Sequence, residues 1–176
     1  MYNQKSKKFT FNIDKAISSL LYVSKDVHNL YNIMKVFYFA DKLHLSKYGR
    51  FMFGETYYAM RKGHVPSTIY DIIKFVRGNG TKIFGAELKN AIEVNKNDVR
   101  AKQQANLDFL SPSEIECLND AIKEYGNLDY VSLLFKSHKD HAYKVTQLNQ
   151  EIKVDDIVDS LDNKKTIKEY LVNLYE

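Results

Sequence analysis

The sequence predicts a mostly α-helical α+β fold, a compact helical domain with a small β-hairpin element. The segment Leu30–Tyr48 has apolar residues on most sides of a helix, which is typical of a helix at the centre of a core. Other stretches place apolar residues at helical spacing, and residues 82–108 hold short strand candidates around turn residues, which favours a hairpin. A chain of 176 residues can bury such a core without a disulfide or a metal ion.

The first elements are delimited by polar residues and by a glycine. Residues 1–13 are a polar arm, and Asp14 is the expected N-cap of the first helix. The central helix begins at Leu30, after a polar break, and ends at Gly49. Glycine suits that position because the residue after a helix often adopts the left-handed conformation.

The next stretch is predicted from turn residues. Residues 51–60 are aromatic and irregular, with a strand-like end, and residues 63–66 are predicted to form a turn. Pro66 and Ser67 then open a second amphipathic helix, because proline suits a helix start and serine suits a cap.

The second half of the chain contains the clearest local signal. Ser111 and Glu114 have the spacing of a capping box at the start of a helix. Asp129 is the expected N-cap of the following helix, whose inward side chains are predicted to be Val131, Leu134 and Phe135. Two short amphipathic pieces near the C-terminus are expected to dock on the domain or on a partner, since each is too short to be stable alone.

Charge is unevenly distributed along the chain. The net charge of +4 is too small to indicate nucleic-acid binding by itself. Residues 41–82 hold eight basic side chains against three acidic ones, whereas residues 151–176 hold seven acidic side chains against four lysines. The basic segment either attracts an acidic partner or is screened by the acidic tail, and a solvated surface is the ordinary alternative.

The cysteine content and the hydropathy indicate a cytoplasmic protein. Cys117 is the single cysteine, which excludes an internal disulfide and a cysteine-based zinc site. The N-terminus lacks an apolar segment of signal-peptide length, and no run approaches the ~18 apolar residues of a membrane helix. We therefore expect no membrane association.

The stretch from Tyr38 to Asp71 carries a family resemblance. It is YFADKLHLSKYGRFMFGETYYAMRKGHVPSTIYD and resembles the diagnostic block of the Panacea domain, also called SocA-like. The matching positions in this block are Tyr38, Phe39, Ala40, Asp41, His44, Leu45, Tyr48, Gly49, Gly54, Glu55, Tyr57, Ala59, Met60, Gly63, Val65, Pro66, Ser67, Tyr70 and Asp71. A later block also matches, at Leu110, Ser111, Glu114, Tyr125, Gly126, Ser137 and His138.

The resemblance implies a mainly helical domain with a small β element, and an antitoxin encoded beside a toxin gene. Members of this family counter unrelated toxins, typically by direct binding, and one branch delivers its toxin to a protease. The expected partner is thus a cognate toxin, and the question whether the chain also forms a homodimer stays open. We expect the Panacea domain at residues 14–145, followed by a C-terminal helical extension at 146–176.

Two positions depart from the family pattern. His64 stands where the family usually has proline in its turn, and Tyr143 stands where tryptophan is expected. Both departures bear on which partners are accepted more than on the fold.

The motif residues of the block are predicted to be mainly structural. Asp41 and His44 share one face of the helix and either anchor the following loop or form an acid–base pair, and we favour the anchor. The other predicted structural positions are Gly49, Gly63, Pro66, Tyr70 and Asp71.

A contact patch for the toxin is predicted around the expected turn. Arginine and tyrosine beside a rigid turn are typical of binding surfaces, although a merely solvated loop is an equal alternative. The predicted patch consists of Arg50, Tyr57, Tyr58, Arg61, Lys62 and His64.

The sequence lacks a complete catalytic or metal-binding constellation. His138 and His141 are spaced as a metal pair on one predicted helix, but a third ligand is not evident. Cys117 lies in a capped helix without a neighbouring base, so a buried apolar role is favoured over that of a nucleophile. We predict no catalytic residue, no metal and no cofactor.

Four functions compete at this point. The favoured one is an antitoxin that binds its toxin, followed by an adaptor that delivers the toxin to a protease. A nucleic-acid-binding repressor is the third, and the absence of a recognition-helix pattern counts against it. An enzyme is the fourth, and the incomplete constellation counts against it. A short toxin-like reading frame beside the gene favours the first two.

Overall fold

A computed structural model describes residues 11–173, and the prediction of a mostly helical α+β fold is confirmed. The expected polar arm at residues 1–13 lies largely outside the described residues. The helices and strands, in chain order, are α1 (Ile13–Ser24), α2 (Leu30–Tyr48), β1 (Tyr57–Met60), β2 (Gly63–Pro66), α3 (Ser67–Arg77), α4 (Leu88–Ala91), β3 (Ile92–Asn95), β4 (Asp98–Ala101), α5 (Pro112–Tyr125), α6 (Tyr130–Lys139), α7 (His141–Val145), α8 (Val154–Asp159) and α9 (Lys164–Asn173).

The ends of α1 and α2 are set by asparagine caps and a glycine. The prediction of Asp14 as N-cap is wrong, because the side chain of Asn12 accepts the hydrogen bond from the Lys15 amide at 3.0 Å. Asn29 caps α2 in the same way. Gly49 ends α2 at a φ of 69°, the left-handed conformation that the sequence predicted.

Two antiparallel hairpins lie in the described residues. The hairpin predicted within residues 82–108 is β3–β4. The predicted turn at residues 63–66 is wrong, because these residues form β2 and pair with β1, with Tyr57 opposite Pro66 and Met60 opposite Gly63. The turn itself is Arg61-Lys62.

Helix α3 is capped by a residue from outside its own sequence. The predicted serine cap is wrong, because Pro66 is the N-cap residue and no side chain caps from that position. Instead, the Glu55 carboxylate accepts from the amides of Thr68 and Ile69, each at 3.1 Å. A carboxylate at a helix N-terminus is favourable because free amides and the helix dipole both attract negative charge.

Helices α5 and α6 begin as predicted, but α6 faces a different way. The capping box between Ser111 and Glu114 is present, and Asp129 caps α6. Val131 and Phe135 were expected to face inward and are instead 74% and 59% exposed. The inner face of α6 carries Leu133 and Ser137, because Ser137 bonds to the first hairpin.

Helix α2 passes between two cores. In the first core, the N-terminal part of α2 packs with α1, α3, β3, β4 and α5. In the second, the C-terminal part of α2 packs with β1, α7, α8 and α9. Phe37 is fully buried, as expected for a central helix, while Phe39 is partly buried.

The C-terminal segment covers the first hairpin. Asn149 and Ile152 donate backbone hydrogen bonds to the carbonyls of Ala59 and Tyr57, at 2.7 and 2.8 Å, along the free edge of β1. Ile157 on α8 and Ile167 on α9 are buried in the second core. Across residues 11–173, no helix combines the length and the apolar character needed to span a membrane.

Candidate functional site

The first hairpin rests on a buried polar cluster centred on Asp140. One oxygen of Asp140, Oδ1, accepts from the Tyr38 hydroxyl at 2.9 Å and from Nε2 of His64 at 3.2 Å. The other oxygen, Oδ2, forms an ion pair with Lys42. Together with Ser137, these residues form what we call the Asp140 cluster, which joins α2, β2, α6 and the start of α7.

His64 is held on every side within this cluster. Its ring stacks on the Tyr38 ring with centroids 3.6 Å apart. Because a carboxylate only accepts, Nε2 carries the proton donated to Asp140, and Nδ1 accepts from the Ser137 hydroxyl at 2.8 Å. The His64 carbonyl accepts from the ammonium of Lys35 at 2.9 Å.

Burial and close partners together set the protonation states of the Asp140 cluster. It lowers the pKa of His64 to about 4, so the imidazole is neutral at pH 7. Burial alone would raise the pKa of Asp140, but the hydrogen bond from His64 and the positive charge of Lys42 hold it well below its usual range. Burial lowers the pKa of Lys35 to about 7. At neutral pH, Asp140 is therefore ionised and Lys42 is its counterion.

The two departures from the family pattern touch each other. The ring centroids of His64 and Tyr143 are 5.4 Å apart. Tyr143 also stacks on His138 and donates its hydroxyl to the carbonyl of Met60 at 2.9 Å. The two changes therefore share one contact between the hairpin and α7, inside the fold.

Asp41 and His44 both anchor the loop that follows α2. Asp41 is fully buried and accepts from the Met52 amide at 2.6 Å and from the Tyr57 hydroxyl at 2.8 Å. Burial raises its pKa to about 7. Nδ1 of His44 donates to the Arg50 carbonyl at 2.8 Å. Nε2 of His44 accepts from the Ser113 hydroxyl at 3.0 Å, so the bonds of this pair go to the loop, to β1 and to α5.

The other motif residues lie in the first hairpin and in the first half of α3. Gly63 has a φ of 96°, and any Cβ there would collide with the Ser137 hydroxyl, so β2 approaches α6 closely. Pro66 is buried at the start of α3. Tyr70 packs against the first core, and Asp71 pairs with Lys74 and Lys82 at 2.6 Å each.

The predicted toxin-contact residues separate into buried and exposed groups. Tyr57 and His64 are buried, so their side chains do not reach the surface. Tyr58 is half-buried and Arg50 is exposed beside Glu114, 3.2 Å from its carboxylate. The turn residues Arg61 and Lys62 are exposed.

Lys62 belongs to an exposed aromatic group that the sequence did not indicate. Its ammonium donates to the Tyr31 hydroxyl at 2.7 Å and lies 4.5 Å from the centroid of that ring. The Tyr31 and Tyr130 rings meet edge to face at 5.9 Å. We call Tyr31, Lys62 and Tyr130 the surface cluster. Its members come from three distant parts of the chain, so no local pattern could have found it.

A shallow depression lies beside the surface cluster. It has a volume of about 390 Å³ and is lined in part by His28, Tyr31, Asn127, Asp129 and Tyr130. The surface cluster and the depression together give this side of the molecule both aromatic and polar groups.

The candidate metal pair is not preserved by the fold. His138 lies in α6, whereas His141 begins α7, because Asp140 ends one helix and caps the next. Within the described residues, no group of three potential metal-binding side chains comes together. Cys117 is buried in the first core, and burial raises its pKa to about 11.

Comparison with known proteins gives one match. A family model described as an antitoxin, SocA-like, with a Panacea domain, matches residues 33–144. No curated protein and no solved structure matches the chain. The matched stretch begins in α2 and ends in α7, so it contains the first hairpin, the Asp140 cluster and the surface cluster residues Lys62 and Tyr130.

Proposed function

The chain belongs to the family of SocA-like antitoxins with a Panacea domain, and from that premise we propose that it neutralises one toxin by binding it directly. Membership supports an antitoxin role in general, with a toxin as partner. The proposal adds that neutralisation is stoichiometric, takes place in the cytoplasm and involves no catalysis by the antitoxin.

The observation that carries the proposal is the exposed turn of the first hairpin on a rigid base. Arg61 and Lys62 project from the turn, while the strand behind them is fixed by the Asp140 cluster. A surface that is already ordered loses little conformational entropy on binding, which favours a tight complex. Positive charge at the turn speeds encounter with an acidic surface.

The burial of each residue decides which of the predicted contact residues remain in the proposed contact surface. Tyr58, Arg61 and Lys62 stay in it, and Tyr31 and Tyr130 join it through the surface cluster. Arg50 leaves it, because Arg50 follows the C-terminal end of α2 beside Glu114, whereas Tyr31 lies in the first turn of that helix. Tyr57 and His64 leave it because they are buried, and they support it from below.

Purified components test this proposal. The antitoxin and the product of the neighbouring toxin gene are mixed without any protease, and we expect them to co-purify and the toxin to lose activity. Reversal of both charges in the turn, Arg61→Glu with Lys62→Glu, should weaken neutralisation. The melting temperature should stay nearly unchanged, because exposed charges screened by solvent contribute little to stability.

The matched control reverses two exposed lysines away from the turn, Lys102→Glu with Lys165→Glu on α9, which makes the same change in net charge. This variant should neutralise as the wild type does. If the purified proteins neither co-purify nor affect each other, direct neutralisation is wrong. Protection that disappears in cells lacking one protease would then favour the adaptor.

A further inference from the structure

The outward face of α6 carries an apolar strip. Val131 and Phe135 lie one turn apart on this face and are 74% and 59% exposed. Lys139 follows one turn later, with its ammonium 4.2 Å from the centroid of the Phe135 ring. Tyr130, 48% exposed, joins this face to the surface cluster. We call Tyr130, Val131, Phe135 and Lys139 the α6 strip.

The fold does not use the α6 strip for its own core. Leu133 and Ser137 form the inner face of α6, and Ser137 is bonded to His64. Adjacent large apolar side chains exposed to water are typical of a surface that a partner covers. Aromatic and aliphatic side chains presented on a rigid helix are suited to act as anchors in an interface.

The charges around the α6 strip favour an acidic partner. Asp129 accepts from the amides of Val131 and Ser132 as the helix cap, and Glu124 pairs with Lys136 at 3.0 Å. These two acidic groups are therefore engaged within the molecule. Lys139 and Lys62 instead lie over aromatic rings, and among the described residues neither ammonium forms an ion pair with a carboxylate, although that of Lys62 donates to the Tyr31 hydroxyl.

We infer that the α6 strip binds an apolar segment of the toxin flanked by carboxylates. This inference rests on the proposed function of direct neutralisation and identifies the surface and the chemistry of its partner. A second copy of the chain fits less well, because a twofold contact through the strip brings its lysines towards each other.

Removal of the apolar anchors is the first test. Val131→Ser with Phe135→Ser should raise the dissociation constant for the purified product of the neighbouring toxin gene at least ~30-fold, as loss of central anchors does. The matched control is Ile83→Ser with Leu107→Ser, which removes exposed apolar side chains elsewhere, 90% and 49% exposed. The control should bind as the wild type does.

Charge reversal is the second test, and it changes an exposed side chain without altering the packing of the core. Lys139→Glu should slow association and make it less sensitive to salt, whereas Lys123→Glu on the exposed side of α5 should change neither. If the serine variant melts well below the wild type, the Lys139→Glu result decides the inference.

Each outcome has one consequence. If the wild type binds the toxin and the strip variants bind it equally tightly, the inference is overturned and the proposed function stands. If the wild type does not bind the toxin, both fail. If the free chain is a dimer that Phe135→Ser dissociates, the strip contacts a second copy and the toxin is not its occupant.

Discussion

The core around α1, α3 and α5 and the core around the first hairpin and α7–α9 share α2, yet they bury different kinds of side chain. The first is lined mainly by aliphatic residues such as Leu20, Ile33 and Ile72. The second lies against the Asp140 cluster and Asp41, whose buried polar atoms are bonded to specific partners. Helix α2 is thus stabilised by apolar packing in the first core and also by buried hydrogen bonds in the second.

The difference lies in how directional the stabilising interactions are. Apolar packing tolerates exchanges of similar volume, because burial of area has no preferred direction. A buried polar group that loses its partner instead retains the full cost of desolvation. We therefore expect small apolar changes in the first core to be mild and single polar changes in the second core to be severe.

The largest expected effect is at the centre of the Asp140 cluster. Asp140→Ala leaves Lys42, Tyr38 and His64 without their common acceptor, and it should lower the free energy of unfolding by about 3–5 kcal/mol. Ile33→Val in the first core should lower it by only ~0.5–1.5 kcal/mol. Urea denaturation measures both. Equal losses would mean that the two cores do not differ in this way.

Two glycines with similar φ angles but different surroundings allow the cost of a close contact to be compared with that of backbone strain alone. Gly63 and Gly78 have φ values of 96° and 88°, but a Cβ meets Ser137 and Lys35 at the first position and nothing within 4 Å at the second. Gly78→Ala should cost about 1–2 kcal/mol, the strain of the left-handed conformation alone.

Gly63→Ala carries the same strain and also separates β2 from α6, so its loss of stability should clearly exceed that of Gly78→Ala. Thermal melts of the two variants measure the difference. Equal melting temperatures would show that β2 moves away from α6 without cost.

Lys35 contributes a pH dependence to the stability of the protein. Its pKa is lowered to about 7 by burial, against 10.5 for an exposed lysine. Between these values the unfolded chain binds a proton that the folded chain lacks, so stability rises with pH, by up to ~1.4 kcal/mol per pH unit.

Lys35→Met removes this titration. From pH 7.5 to 9, the free energy of unfolding of wild type should therefore rise relative to that of the variant, measured by denaturant melts at each pH. A constant difference between the two proteins across this range would contradict the lowered pKa.

Much of the fold follows from local sequence. The limits of α2, the capping box of Ser111 and Glu114 and the β3–β4 hairpin were all predicted, because each depends on residues a few positions apart. The candidate site was predicted only in part. The family block pointed to the turn region, but it could not separate buried His64 from exposed Lys62.

By itself, the sequence determined the longer helices, the caps at Ser111 and Asp129 and the family, since spacing and residue type set those features locally. Tertiary structure alone decided that Gly63–Pro66 is a strand, because its pairing with β1 and its bond to Ser137 outweigh the turn propensity of glycine and proline. It also decided which face of α6 is buried. The bond between Tyr38 and Asp140 joins residues 102 positions apart, and no local pattern specifies a partner at that distance.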